Sequence, residues 1–228
     1  MNTDLVIIRP APGAGQSARA ARTLGLTPIV HSLFEAKPLR WEPPNPDLYD
    51  GLIISSANAL RLGGPALTAL QDLPVHAVGQ ATAAAAHALG FTVASTGERG
   101  VEALVQSLSK GTPQRFLRLA GRQHVDVLLA GMLIDTVIVY AVDPVPMPAP
   151  LAKRLRDGDV VAALHSARAA RHFAVECDRM GCDRAGISLA VLSPNVAEAA
   201  GDGWRDIAIA EAPDDAHLLS HAAKRTRL

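Results

Sequence analysis

The chain is short of cysteine, aromatic residues, net charge and long apolar runs, and each shortage closes off a class of protein. Two cysteines, Cys177 and Cys182, in 228 residues cannot staple a disulfide scaffold or complete a four-thiolate zinc site, and they suit a reducing compartment. Lysine and arginine total 22, against 22 aspartates and glutamates. The overall field that would draw a protein onto nucleic acid or an anionic membrane is therefore missing. Even the longest apolar stretch, around Val125–Ile134, falls far short of the ~20 residues of a bilayer span. The opening Met1-Asn2-Thr3-Asp4 carries no basic segment, and the strand-like run behind it stops at Arg9-Pro10. No export signal is expected, and the reading is cytoplasmic.

What is present points to a folded globular chain, since 49% of residues are hydrophobic and only 19% charged. The length suits one large domain or two small ones. Short β-branched runs alternate with alanine-rich helical stretches. Strands are expected at Asp4–Arg9, Thr27–Leu33, Gly51–Ser55, Pro74–Val78 and Phe91–Ser95, with helices at Gly15–Leu24, from Ala57, at Ala81–Leu89 and at Val101–Leu108. The second half repeats the order. Strands are expected at Arg115–Leu119, Thr136–Tyr140, Asp159–Leu164, Ser188–Leu192 and Asp206–Ile209, and helices at Val125–Leu133, Ala167–Val175, Ala197–Ala200 and Asp214–Ala223. Strand–helix–strand alternation at this spacing predicts an α/β fold with parallel sheets and right-handed crossovers.

Three local echoes suggest an internal duplication. Residues 53–59 (IISSANA) resemble 163–169 (ALHSARA), 77–83 (AVGQATA) resemble 191–197 (VLSPNVA), and Gly90-Phe91 resembles Gly203-Trp204. Two similar lobes imply a cleft, where ligands commonly bind. Proline clusters at Lys37–Pro46 and Asp143–Pro150 each follow a β-rich run. Because proline fixes φ and removes a donor, both clusters are expected to be extended crossings between the lobes.

Ligands of open parallel sheets bind at the carboxyl ends of strands. Four junctions there carry small polar residues: Ser55–Asn58, Gly79–Thr82, Ser166–Arg168 and Ser193–Asn195. Each reads as an ordinary helix cap. Together they would also offer main-chain N–H groups to a ligand with many carboxylates. Residues 13–18 (GAGQSA), with Glu35 downstream, imitate a dinucleotide-binding turn, but Arg9-Pro10-Ala11-Pro12 separates them from the strand that should run straight into the first glycine. His217 and His221 are four apart with no third ligand in view, and no Gly-x-Ser-x-Gly elbow occurs. Tyr140 ends an aliphatic strand. A phenol stays protonated at neutral pH and could donate its proton to a leaving hydroxyl.

Several pieces, spread over nearly the whole chain, resemble the bacterial uroporphyrinogen-III synthase family. They are VIIRP (6–10), IISSANA (53–59), VHAVGQATA (75–83) with LGF (89–91), LRLAGR (117–122), VIVY (137–140) and HSARA (165–169). The resemblance implies two similar lobes, each a parallel sheet flanked by helices, joined by a two-stranded connector. The first lobe would combine 1–31 with 143–228, the second would be 38–136, and 32–37 and 137–142 would form the connector. It implies a lyase that needs no metal or organic cofactor. The enzyme would close the linear tetrapyrrole hydroxymethylbilane to uroporphyrinogen III, losing water and inverting ring D through a spiro intermediate. Tyr140 would assist departure of the hydroxyl. Arg9, Ser56, Asn58, Gly79, Thr82, Arg122 and Ser166 would meet the substrate. Ser193 and Val196 depart from the glycine and threonine usual at the second such helix start, and Ala120 stands where a basic residue is common, leaving Arg118 and Arg122 as substitutes. A monomer that binds neither nucleic acid nor membrane is expected. The rival readings are a non-catalytic two-lobe binder of tetrapyrroles or other polyacids and, on residues 13–18 alone, a nucleotide-dependent oxidoreductase.

Overall fold

The computed structural model describes residues 4–98, 100–108, 114–127 and 131–225. In chain order the elements are β1 (Asp4–Ile7), α1 (Gly13–Thr23), β2 (Thr27–Val30), β3 (Phe34–Pro38), β4 (Gly51–Ile54), α2 (Ala57–Leu62), β5 (Val75–Val78), α3 (Gln80–Ala88), β6 (Val93–Gly97) and α4 (Gly100–Leu108). There follow β7 (Gln114–Gly121), β8 (Met132–Pro144), α5 (Ala149–Arg156), β9 (Val160–Leu164), α6 (Ala167–Arg179), β10 (Ile187–Val191), α7 (Pro194–Ala200), β11 (Asp206–Ile209) and α8 (Asp215–Arg225). The chain divides into two compact units, one of residues 1–35 and 144–228, the other of residues 36–143.

The first unit holds a sheet in the order β11-β10-β9-β1-β2, with all pairings parallel. Parallel strands covered on both faces read as unbroken apolar runs, and β9 and β10 are buried at every position. On one face Leu5, Ile7, Val161 and Ala163 pack against Ala14, Ala18 and Ala21 of α1 and Leu218, Leu219 and Ala222 of α8.

The second unit holds a sheet in the order β3-β8-β7-β4-β5-β6. Alternation along its strands sends Leu52, Ile54, Leu117 and Leu119 to the face covered by Leu60 of α2 and Ala83 and Ala86 of α3. Ile53 and Phe116 face Val101, Leu104 and Val105 of α4. The duplication echoes find their counterpart in topology. β4, β5 and β6 take the sheet positions of β9, β10 and β11, and β7-β8 those of β1-β2, so both sheets run in one spatial order from different starting points in the sequence.

Two expectations fail. The stretch Val125–Leu133 is no helix where it is described: 122–127 is irregular, and Met132 and Leu133 already belong to β8. Residues 128–130 lie outside the described residues. Gly131, at φ 83°, takes a left-handed turn that interrupts any helix, and the Val125 carbonyl is taken by a side chain. The second proline cluster, Asp143–Pro150, is not wholly extended either. β8 runs on through Pro144, and α5 starts at Ala149. Pro150 is tolerated in the first helical turn because its missing N–H has no intrahelical partner there.

That corner is fastened by Glu176 of α6, whose buried carboxylate accepts from the Met147 N–H and is forked by Arg179 Nε and Nη2 at 2.9 and 2.6 Å. The Arg179 hydrogen bonds, outweighing burial, hold the Glu176 carboxyl down at about 2. A depressed carboxyl contributes stability in full above its unfolded value and loses it as pH falls toward its folded one. Acid unfolding should accordingly draw on Glu176 between about pH 4.5 and 2. Glu176→Ala, which orphans the Met147 N–H, is expected to cost about 2–4 kcal/mol by urea unfolding at neutral pH. A cost within 0.5 kcal/mol, on the order of a plain surface change, would show that the clasp contributes nothing.

Candidate active site

The second unit has a cavity of about 580 Å³ at the carboxyl ends of its strands, within the size range of small-molecule sites. Ser55 and Ser56 follow β4, Val78 ends β5, and Arg118 and Gly121 come from β7. Tyr140 comes from β8, Gly100–Glu102 from the start of α4, and Gln123–Val125 from the segment after β7.

Tyr140 is only 9% exposed, yet its hydroxyl makes no hydrogen bond to any described residue. A buried tyrosine usually pairs its hydroxyl, so a phenol left free in a cavity wall is available to a ligand. Its placement depends on Gly121. The β7–β8 register shifts between Ala120 and Gly121, which sets Gly121 opposite Tyr140. A Cβ at Gly121 would lie 2.6 Å from Tyr140 Cζ and 2.9 Å from its hydroxyl oxygen. The phenol therefore occupies space that only glycine leaves open. Spacing in the sequence gives no sign of this contact, because it depends on a bulge between two strands.

Arg118 is 2% exposed on β7. Its Nη1 donates to the Val125 carbonyl at 2.6 Å, and its Nε is buried with no partner among the described residues. Burial pulls the guanidinium below the usual arginine value, and Asp126 and Glu102 pull the other way. It remains a cation at neutral pH.

The other expected site residues are dispersed. Ser56 lines the cavity and caps α2, its hydroxyl accepting from the Asn58 N–H at 3.3 Å. Asn58 itself is the second residue of that helix, outside the cavity wall. Gly79, at φ 80°, is the N-cap of α3, and Thr82 is buried in its first turn. Neither belongs to the wall of the Tyr140 cavity. Arg122 is half-exposed and pairs with Asp143 at 3.3 Å, an aspartate also held by Lys37 at 2.9 Å.

Arg9 and Ser166 belong to the first unit. Arg9 Nη1 donates to Ser17 Oγ at 3.3 Å and lies 3.7 Å from Asp215. Asp215 also accepts from Ser17 at 2.7 Å and lies 2.7 Å from His165 Nε2. Burial pushes His165 down. Ser166 caps α6 through the Ala169 N–H at 3.2 Å. Ser193, by contrast, makes no side-chain cap bond, and Val196 is buried.

The dinucleotide-like run 13–18 sits inside α1 itself, and a Cβ at Gly13 would meet the Arg9 guanidinium at 2.5 Å. His217 pairs with Asp214 at 2.8 Å. Among the described residues no three His, Cys, Asp or Glu side chains gather as metal ligands, and no helix is long and apolar enough to cross a membrane.

A family model described as uroporphyrinogen-III synthase HemD matches residues 15–220. Among solved structures, uroporphyrinogen-III synthetase from Helicobacter pylori is similar at a TM-score of 0.67 and 18% identity, over 97% of this chain and 99% of that one. A mutant uroporphyrinogen III synthase from the extremely thermophilic bacterium Thermus thermophilus gives a TM-score of 0.50 at 14% identity, over 99% of both chains. At these identities the likeness is one of fold. No curated protein sequence is significantly similar to the chain.

Proposed function

The chain belongs to the uroporphyrinogen-III synthase HemD family, and from that premise we propose that it converts hydroxymethylbilane to uroporphyrinogen III, losing water and inverting ring D. The observation that carries this reading is the family match across residues 15–220. The reaction expels one water and closes one ring with no net oxidation or reduction, so it calls for no redox partner.

We assign departure of the hydroxyl to Tyr140, whose phenol, in a cavity wall and bonded to no described residue, supports that role. A pyrrole nitrogen can push the terminal hydroxyl out once a proton reaches the leaving oxygen, and a phenol within hydrogen-bond reach supplies it as a general acid. Ser56, Asn58, Gly79, Thr82 and Arg122 in one unit, and Arg9 and Ser166 in the other, are the proposed contacts to substrate carboxylates. The lobes are proposed as 1–31 with 143–228 and as 38–136, linked by 32–37 and 137–142. The enzyme is proposed to act as a cytoplasmic monomer.

The bilane can also close unaided without inversion, so the catalyst must favour one conformer over another. A difference of about 1.4 kcal/mol between the two closures already shifts the product ratio tenfold. Purified protein given hydroxymethylbilane should yield the type III isomer, resolved by chromatography of the oxidised porphyrins. Type I isomer alone, formed at the uncatalysed rate, would overturn the assignment.

A further inference from the structure

We infer that Arg118 is an anchor for one carboxylate of the substrate inside the Tyr140 cavity, gripping it side-on with the Nε and Nη2 edge of its guanidinium. The inference rests on the synthase reading for the identity of the ligand, and on geometry alone for the existence of an anion seat.

A buried cation without an anion is costly, and folded proteins keep one where something compensates it. Of the three arginines that suit carboxylate recognition, two are already answered from within. Arg9 sits by Asp215 and Arg122 by Asp143. Arg118 is the most deeply buried of the three at 2% exposure, and no carboxylate among the described residues forms an ion pair with it. Its one side-chain hydrogen bond among the described residues goes to a neutral acceptor, the Val125 carbonyl.

The way that bond is made selects the ligand. Nη1, on the Cδ side of the guanidinium, is the nitrogen engaged by Val125. Nε and Nη2 share the opposite edge, where their N–H bonds run parallel at the spacing of the two oxygens of a carboxylate. Nε is buried and without a partner among the described residues, and Nη2 bonds none of them. The unused edge therefore belongs to a residue of the same cavity wall as Tyr140 and Ser56. A linear tetrapyrrole carries carboxylate side chains on its rings, so one of them seated on Arg118 would fix a pyrrole relative to the Tyr140 phenol. Asp126 and Glu102, the latter a residue of the same cavity wall, act on Arg118 through space without bonding it, so in the free protein they partly offset the charge that the substrate would take over.

Steady-state kinetics on Arg118→Gln and Arg118→Lys, with hydroxymethylbilane as substrate and isomer analysis of the product, test the inference. Arg118→Gln is expected to raise KM about tenfold or more with a smaller change in kcat, because a contact made equally in the ground and transition states appears in KM. Arg118→Lys, which keeps the charge and loses the fork, should fall between. A folded Arg118→Gln variant with the wild-type KM overturns the inference and leaves the synthase reading standing.

If Arg118→Gln does not fold, the wild-type protein labelled with nitrogen-15 arginine decides instead. Sodium acetate, added at constant ionic strength against chloride, should shift the slowly exchanging Arg118 Nε–H resonance saturably, and an unmoved resonance overturns the anion seat. Absence of type III product from the wild-type enzyme would sink the synthase reading by itself, whatever acetate does.

Discussion

Tyr140→Phe should lower kcat by about a hundredfold, the lower range for loss of a positioned general acid, while leaving the fold intact. The second half of that expectation is unusual for a buried tyrosine. Removing a hydroxyl that is paired in the folded state strands its partner and costs stability. The Tyr140 hydroxyl bonds no described residue, so phenylalanine fills the same envelope with nothing left stranded. Urea unfolding of the variant should lie within about 1 kcal/mol of wild type. With enzyme in molar excess over bilane, the product that does form should still be type III. The isomer is set by how the chain of pyrroles is held, and the phenol only speeds the loss of water. Unchanged turnover would remove Tyr140 from the mechanism without touching membership of the family.

Gly121→Ala should reduce kcat by about tenfold to a hundredfold, through Tyr140. The new methyl would start 2.6 Å from Tyr140 Cζ and 2.9 Å from the phenolic oxygen, well inside contact distance. The part of the ring it meets is the far end of a side chain, and the cavity gives that end somewhere to go. The ring should therefore swing rather than the strand break, at a stability cost of about 1–3 kcal/mol for overpacking. A displacement of an ångström in a reacting group can cost about a hundredfold in rate.

A double-mutant cycle separates this from general damage. Combined with Tyr140→Phe, Gly121→Ala should reduce activity little further, since the group it misplaces is already gone. Full additivity of the two losses would mean that Gly121 acts through something other than the phenol.

Much of the fold was legible because parallel α/β units write themselves locally. A strand buried on both faces must be a short apolar run, as at Val160–Leu164, and its partner helix must carry an apolar stripe of small residues, as in α1 with Ala14, Ala18 and Ala21. The misreadings share one cause, which is that periodicity does not report partners. Val125–Leu133 carries apolar residues at spacings that suit a helix, but the Arg118 side chain takes the Val125 carbonyl and Gly131 turns the chain into β8. In Asp143–Pro150, prolines that argue against regular structure proved compatible with the end of one strand and the first turn of one helix. The sites divide the same way. Ser56 and Ser166 were readable as caps because a cap is a matter of neighbours in sequence, and both cap.

By itself, then, the sequence determined the α/β class, the two echoing halves and the small polar residues at the strand ends, since all of these arise from interactions between residues close along the chain. Only the tertiary structure decided which side chains are free to act. Arg9 and Arg122 turned out to be answered by Asp215 and Asp143, whereas Arg118 and Tyr140 share one cavity wall with polar atoms that no described residue satisfies. Whether a charge or a hydroxyl is already paired depends on residues far away in sequence: Asp215 stands beside Arg9 in space although nearly the whole chain separates them in sequence, and Gly121 admits the Tyr140 ring only through a shift in register between two strands.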